Sequence, residues 1–382
     1  MVSESKRLAY LALKVNIFFV CSGQVFWSYS YLFMNLKGLS LLSLGTIGSV
    51  TSAMVLVGLV LGPLADRFAK HKQFFIASCI IMVFTQAVYP LASGFPSFLL
   101  LNIGISIANI IMMGPIYSVI MLSVLGSTEP GRLLGQYRVW GTLSWVALQP
   151  IAGIFADMYG LALLFPIGAV FYLLSAISAL FLPQPVKTNE SSFTEIRVLK
   201  EYLVHKKVAF LLATETLVGL VATRNFLNIY LREIGASLTT IGLMQGLWVI
   251  PEIPSLLLIA PLCDRIGRKP VIFLYYLVAP LPLFCYGITT SIPIIIAAQM
   301  VFKLLSFGSH YAIQLYIADA VPREALASVF AVFSTASGLM GIFGSYIAGY
   351  LGQILGLSSM YLIEAVIATM PIVMLGFTRK SW

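Results

Sequence analysis

Charge is scarce in this 382-residue chain: Asp, Glu, Lys and Arg make up 10% of it, against a hydrophobic share of 59%. A soluble domain carries roughly 25% charged residues. A chain this apolar cannot hide its surface from water, so lipid is the expected solvent for most of it. Histidine (3) and cysteine (4) are also few. His71, His205 and His310 lie on separate segments, and Cys21, Cys79, Cys263 and Cys285 each stand alone in an apolar run. The lack of any Cys-x-x-Cys argues against a structural zinc site or a disulfide framework, and the cysteines read as small core hydrophobes. Clustered histidines, paired acids and a Gly-x-x-x-x-Gly-Lys-Ser/Thr loop are all missing, so neither an integral-membrane enzyme nor a nucleotide-driven pump is expected. Strand-length alternation is missing too, which excludes a β-barrel. The net charge of +9 does not point to nucleic acid, because the basic residues sit in short clusters between apolar runs.

Those runs are the dominant feature. A spanning helix needs about 20 apolar residues. Runs of that kind fall at about 9–35, 42–65, 72–92, 97–125, 133–157, 161–182, 208–231, 238–262, 270–290, 293–318, 325–352 and 358–377. The fold class is therefore all-α and integral to the membrane, with twelve spans. Met1–Arg7 is followed by a long apolar run without a clear small-residue cleavage site, and that run reads as the first membrane helix rather than as a signal peptide. An even number of spans places both ends on one side. If that side is the cytoplasm, eighteen Lys/Arg lie inside and two outside (Lys37 and Arg232), with Arg138, Arg224 and Lys303 within spans. This is a strong positive-inside bias, and it predicts a multi-pass cell-membrane protein with both termini cytoplasmic.

The chain also repeats itself. Gly62-Pro-Leu-Ala-Asp66-Arg67-Phe-Ala-Lys70-His71 follows the second run, and Ala260-Pro-Leu-Cys-Asp264-Arg265-Ile-Gly267-Arg268-Lys269 follows the eighth, at an offset of 198. Ile151-Ala-Gly153 with Gly160 matches Ile347-Ala-Gly349 with Gly356 at an offset of 196, and Pro130 and Pro322 differ by 192. Six spans are thus duplicated in parallel: residues 1–182, a cytoplasmic linker over 183–207, and residues 208–382. Ser192-Phe-Thr-Glu195 has capping-box spacing, so the linker is expected to hold a short surface helix or to be a solvated connection. Parallel repeats place a solute site at their interface near mid-membrane. The two Asp-Arg loops read as a conformational latch. A small residue at Gly62 or Ala260 lets two helices approach closely, Asp66 and Asp264 suit a helix N-terminus, and Arg67, Lys70 and Lys72, like Arg265, Arg268 and Lys269, suit the anionic inner leaflet; Gly267 belongs to the second copy of the latch. Pure topology signal is the alternative.

The loops resemble the signature of the major facilitator superfamily, Gly-x-Leu-Ala-Asp-Arg-x-Gly-Arg/Lys-Arg/Lys, with Ala69 in place of the second glycine and Ala260 in place of the first glycine of the other copy. The fifth span, Arg138-Val-Trp140-Gly141-Thr-Leu-Ser-Trp145, resembles the Arg-x-x-Gly-x-x-x-Trp stretch of the lactose permease, and its Arg-Val-Trp-Gly-Thr is similar to the nucleoside–proton symporters. The resemblance implies that Arg138 binds solute hydroxyls and that Trp145 stacks on a ring. The chain departs from the permease in having no acid on the fourth span, whose polar groups are Asn102, Asn109, Tyr117 and Ser118.

Charges within a bilayer are costly and need a reason. Glu252 lies near mid-depth of the eighth span, between Pro251 and Pro254, which withhold backbone donors. Burial disfavours a charged carboxylate, which suits this one to proton exchange. Lys303 lies near mid-depth of the tenth span, where a pair with Glu252 is open. Ser306 and Ser309 stand where the permease has the His and Glu of its relay, and His310 and Gln314 form another polar face. Glu215 in the seventh span is the remaining acid expected to face a cavity, and Glu364 reads as structural. Gln24, Trp27, Asn109, Asn225, Asn228 and Trp248, with Arg138 and Trp145, complete the expected solute-binding set; Glu252, Lys303, Glu215 and His310 form the proton-coupling set. The expected function is symport of a small polar solute, sugar- or nucleoside-like, with protons. The partners expected are that solute and membrane lipid, the active form a monomer, and no cofactor or metal is needed beyond the proton gradient. Proton-coupled export of amphipathic compounds is the alternative, because Gln149-Pro150-Ile-Ala-Gly153 resembles a degraded form of the exporters' glycine-proline motif.

Overall fold

The computed structural model describes residues 4–58, 71–124, 130–182, 206–221, 223–258, 262–321 and 323–377; some side chains inside these ranges, those of Arg138, Asp264 and His310 among them, fall outside the description. The described chain is helical and contains no strand. Nine of its helical segments are long and apolar enough to cross a membrane. The all-α, membrane-spanning class read from composition therefore holds.

Two of the expected spans fall short of that length because they are interrupted. The seventh consists of Lys206–Val218 and Thr223–Glu233, parted at Gly219 and Leu220. The eighth consists of Leu238–Leu247 and Glu252–Leu258, parted at 248–251. The tenth runs as one helix, Ile292–Ala320. The gap in the seventh span lies under the helix Arg323–Leu355: a Cβ on Gly219 would come 3.0 Å from Ser337 Cα, so only glycine lets the two backbones approach there.

Packing divides the chain into two compact units. One comprises Met1–Leu39, Met54–Asn189 and Leu231–Gly246; the other comprises Ser40–Ala53, Glu190–Tyr230 and Leu247–Trp382. Relative to the sequence repeats, the N-terminal parts of the second and eighth spans are exchanged. The cause is two glycine crossings. A Cβ on Gly45 would lie 2.9 Å from Gly349 Cα, and one on Gly153 would lie 3.0 Å from Gly242 Cα.

Duplication extends to individual contacts, at an offset of 196 or 197. In the first unit Phe33, Tyr89 and Phe165 form a ring cluster with centroids 4.7–6.0 Å apart, and the Asn102 amide donates to Tyr89 Oη at 3.1 Å. In the second unit Tyr230, Tyr286 and Tyr361 repeat the cluster at 5.0–6.0 Å, and the Gln299 amide donates to Tyr286 Oη. Edge and tilted ring geometries of this kind add to the burial of the rings themselves. The turns also correspond: Gly38 and Gly235 have φ of +91° and +93°, and Gly160 and Gly356 have φ of +90° and +82°. Glycine enters that region without the steric cost other residues meet.

Candidate functional site

The interruption of the eighth span is local chemistry. Pro251 has no amide to offer Leu247 O, which instead accepts from Ile250 N at 3.2 Å; Glu252 N donates to Val249 O at 3.0 Å. These tight i→i−3 bonds end when Ser255 N donates to Pro251 O at 3.0 Å and the α-helix resumes. Glu252 is the first residue of the resumed helix, so its carboxylate sits at a helix start, where negative charge is favoured.

Lys303, on the unbroken helix Ile292–Ala320, donates from Nζ to Glu252 Oε1 at 2.6 Å. The two side chains keep only 23% and 10% of their exposure. An offset of 197 puts Val55 and Ser106 in the corresponding places of the other repeat, so the pair is not part of the duplicated scaffold. The pairing that depth in the sequence left open is therefore made.

Glu215 has its own partners in the same unit. Tyr276 Oη donates to Glu215 Oε1 at 2.9 Å, and lies 2.8 Å from Thr214 Oγ1, which is 2.9 Å from Leu211 O. Tyr276 owns one proton. With Glu215 ionised, Tyr276 donates to it and accepts from Thr214. With Glu215 protonated, the acid can donate to Tyr276, which donates to Thr214, which donates to Leu211 O. Both charge states leave every group satisfied.

The remaining expected residues divide between the units. In the first, Gln24, Trp27, Asn109 and Trp145 are half-buried. Trp27 sets its edge against Tyr89 at 4.7 Å and Phe165 at 5.9 Å, so its ring is part of the aromatic packing. In the second, Asn225 is half-buried, while Asn228 and Trp248 are buried, Trp248 in the turn that interrupts the eighth span. The side chains of Arg138 and His310 lie outside the described residues, as do those of Arg224 and Gln314.

Of the expected latch, Gly62, Asp66 and Arg67 and the Asp264 side chain lie outside the described residues, and the linker does so up to residue 205. Arg265 is exposed, and Gly267 turns the chain with φ +86°. Arg268 forms an ion pair with Asp319 and donates to Leu315 O. It thereby joins the start of the ninth span to the end of the tenth, within one unit. Lys72 donates to Leu180 O at 2.5 Å and Leu182 O at 3.1 Å, closing the C-terminal end of Leu164–Ala179, where a cation is favoured. Sequence reading missed Tyr276 and Thr214, since a Tyr and a Thr in an apolar helix carry no signal until their partner is placed beside them.

Residues 10–363 match the model of the MFS_1 like family. The chain belongs to this family of major facilitator transporters. It is accordingly a multi-pass membrane transporter and not an enzyme. Among relatives, it is 23% identical over 318 residues to the uncharacterized transporter YwbF of Bacillus subtilis, covering 80% of this chain and 77% of that one. To the multidrug resistance protein MdtG of Citrobacter koseri it is 29% identical over 225 residues, 55% of this chain and 53% of that one. The crystal structure of the nucleoside transporter NupG superposes with a TM-score of 0.80 at 17% identity, over 96% of this chain and 99% of that one. Such a likeness speaks for the fold alone.

Proposed function

We propose that this transporter takes up a small polar solute, sugar- or nucleoside-like, together with protons, by alternating access of two six-helix repeats in the cell membrane. The observation that carries this reading is the Glu252–Lys303 pair at the interruption of the eighth span. Discontinuous helices are where transporters build solute and ion sites, and this one sets a buried carboxylate against a lysine ammonium. A proton placed on Glu252 would weaken its hold on Lys303 and let a solute oxygen compete for the ammonium. Loss of the proton restores the pair. Glu215, with Tyr276 and Thr214, is a second acid able to hold or release a proton, and His310 faces the same role by position. Arg138 and Trp145 supply, by resemblance to the permease, a hydroxyl-binding cation and a stacking ring; Gln24, Trp27, Asn109, Asn225, Asn228 and Trp248 complete the polar and aromatic lining. The proton gradient is the only energy source required, both termini are cytoplasmic, and one chain suffices because it contains both repeats.

The likeness to MdtG, a multidrug resistance protein by name, and the Gln149-Pro150…Gly153 stretch favour a second reading, export of amphipathic compounds. One experiment separates the two. Purified protein is reconstituted into vesicles carrying an internal pH dye, and sugars, nucleosides and organic acids are added singly. Internal acidification with one solute class, lost in Glu252→Gln, is expected. Silence across that panel, with proton movement on addition of cationic amphiphiles, sinks the uptake reading in favour of export.

A further inference from the structure

The two glycine crossings each end in a cap. At the start of Leu238–Leu247, Ser237 Oγ accepts from Thr240 N at 3.0 Å. The Asp157 carboxylate accepts from Leu238 N at 3.2 Å and from Thr239 N at 2.7 Å. At the start of Leu41–Ala53, Ser40 Oγ accepts from Ser43 N at 3.2 Å, and Gln353 Oε1 accepts from Leu41 N at 3.0 Å. The caps correspond residue for residue: Ser40 and Ser237 differ by 197, Asp157 and Gln353 by 196. The serine belongs to the helix it caps, whereas Asp157 and Gln353 reach over from the fifth and the eleventh span, in the other sequence repeat.

The two reaching caps are chemically unequal. The first amides of a helix have no partner inside it. Asp157 takes two of them and brings a full negative charge to the positive end of the helix; Gln353 takes one and is neutral. Arg232, whose charge acts on Asp157, is held nearby by donating to Ala236 O at 3.1 Å. No such inequality is needed to build the fold, because the Gln353 site shows that a neutral amide closes the same crossing.

We propose that Asp157 and Gln353 are the clamps of the face that the Lys/Arg distribution assigns to the outside, and that Asp157, as the charged one, is the positioning residue governing release of the fifth span from the eighth. The inference rests on the alternating-access reading, since repeats that rock against each other must break both cross-repeat caps to open that face. The charge on only one makes the two releases unequal, with the second and eleventh spans parting more readily.

The full-length protein tests this with two readouts. In the first, backbone hydrogen exchange is followed in peptides containing Leu238 and Thr239 and in one containing Leu41. Asp157→Ala is expected to speed exchange at the former severalfold and leave the latter unchanged, with Asp157→Asn, which keeps one acceptor, in between. Exchanging the caps, Asp157→Gln with Gln353→Asp, is expected to reverse the order of protection of the two sites. In the second, Val146→Cys in a chain whose four native cysteines are changed to Ser reports opening beyond the Gly153–Gly242 crossing. Its labelling by a membrane-impermeant maleimide from outside is expected to rise in Asp157→Ala. Unchanged exchange and labelling in Asp157→Ala, or an order of protection that the exchanged caps leave as it was, overturns the proposal. Changed exchange with unchanged labelling overturns the part that concerns opening. Neither readout uses a transported solute, so a failure to find one in the vesicle experiment weighs against the transport reading and leaves the clamp to be decided here.

Discussion

Lys303 Nζ meets Glu252 Oε1 at 2.6 Å, joining an unbroken helix to the first residue of a resumed one. Removing Lys303 takes from the buried Glu252 carboxylate the ammonium it is paired with. Breaking a buried ion pair costs about 3–5 kcal/mol, and the residual exposure of Lys303 places Lys303→Ala at the lower end of that range. The double variant Glu252→Gln, Lys303→Gln is expected to recover most of the loss, because two neutral amides can hydrogen-bond to each other. Thermal unfolding of the detergent-solubilised variants measures this, and a double variant less stable than Lys303→Ala counts against a direct coupling.

Pro251 is expected to hold the interruption open at some expense in stability. Pro251→Ala restores an amide that Leu247 O can accept, letting the eighth span wind further toward Glu252. Proline in a helix interior costs about 3 kcal/mol, and part of that is expected back as a higher midpoint of thermal denaturation. Proton movement driven by solute is expected to slow in the same variant, since Glu252 then leaves the helix start. A variant with raised stability and undiminished turnover argues that the break is incidental.

Tyr276→Phe removes the only proton Tyr276 can offer Glu215 and severs the path to Thr214. A hydrogen bond to a charged group is worth about 1.5–3 kcal/mol. The carboxyl band of Glu215, found as the infrared difference from Glu215→Gln, is expected to shift in Tyr276→Phe and, by less, in Thr214→Val. An unmoved band places the tyrosine outside the acid's hydrogen bonding.

The glycine crossings leave little room. In Gly242→Ala the new methyl would lie 2.9 Å from Gly153 Cα, closer than carbon atoms pack. Overpacking of this kind costs about 1–3 kcal/mol. Gly160→Ala meets open space but carries a φ of +90°, and its cost is expected near the 1–2 kcal/mol of a left-handed L-residue. Denaturation midpoints of the two variants, with Gly349→Ala as the repeat of the first crossing, check the comparison. Gly349→Ala is expected to resemble Gly242→Ala.

How much of this was legible beforehand follows from where each property is stored. Twelve apolar runs, an all-α membrane class and a duplicated chain are stored locally, because lipid solvation acts on each run of about 20 residues separately. The singling out of Glu252 was equally local: a mid-span acid between two prolines is anomalous whatever surrounds it. The breaks at Gly219 and Trp248 were not legible as breaks, since hydropathy averages over a turn that remains apolar. Partners were less legible still. Glu252 and Lys303 are 51 residues apart, Glu215 and Tyr276 are 61, and Asp157 and Leu238 are 81.

By itself, then, the sequence determined the solvent, the helical class, the repeat, and which side chains were too costly to be there without a reason. The tertiary structure alone decided which of those side chains meet, that Trp27 packs among aromatic rings, that Arg268 ties two neighbouring spans together, and that the N-terminal parts of the second and eighth spans pack with the opposite repeat. The physical reason is common to all of them. Burial in lipid depends on what a residue is, whereas an ion pair, a cap or a backbone crossing depends on which face of a helix is turned to which neighbour. That choice is made by close packing at positions such as Gly153 and Gly242, whose sequence neighbourhood looks no different from the rest of an apolar helix.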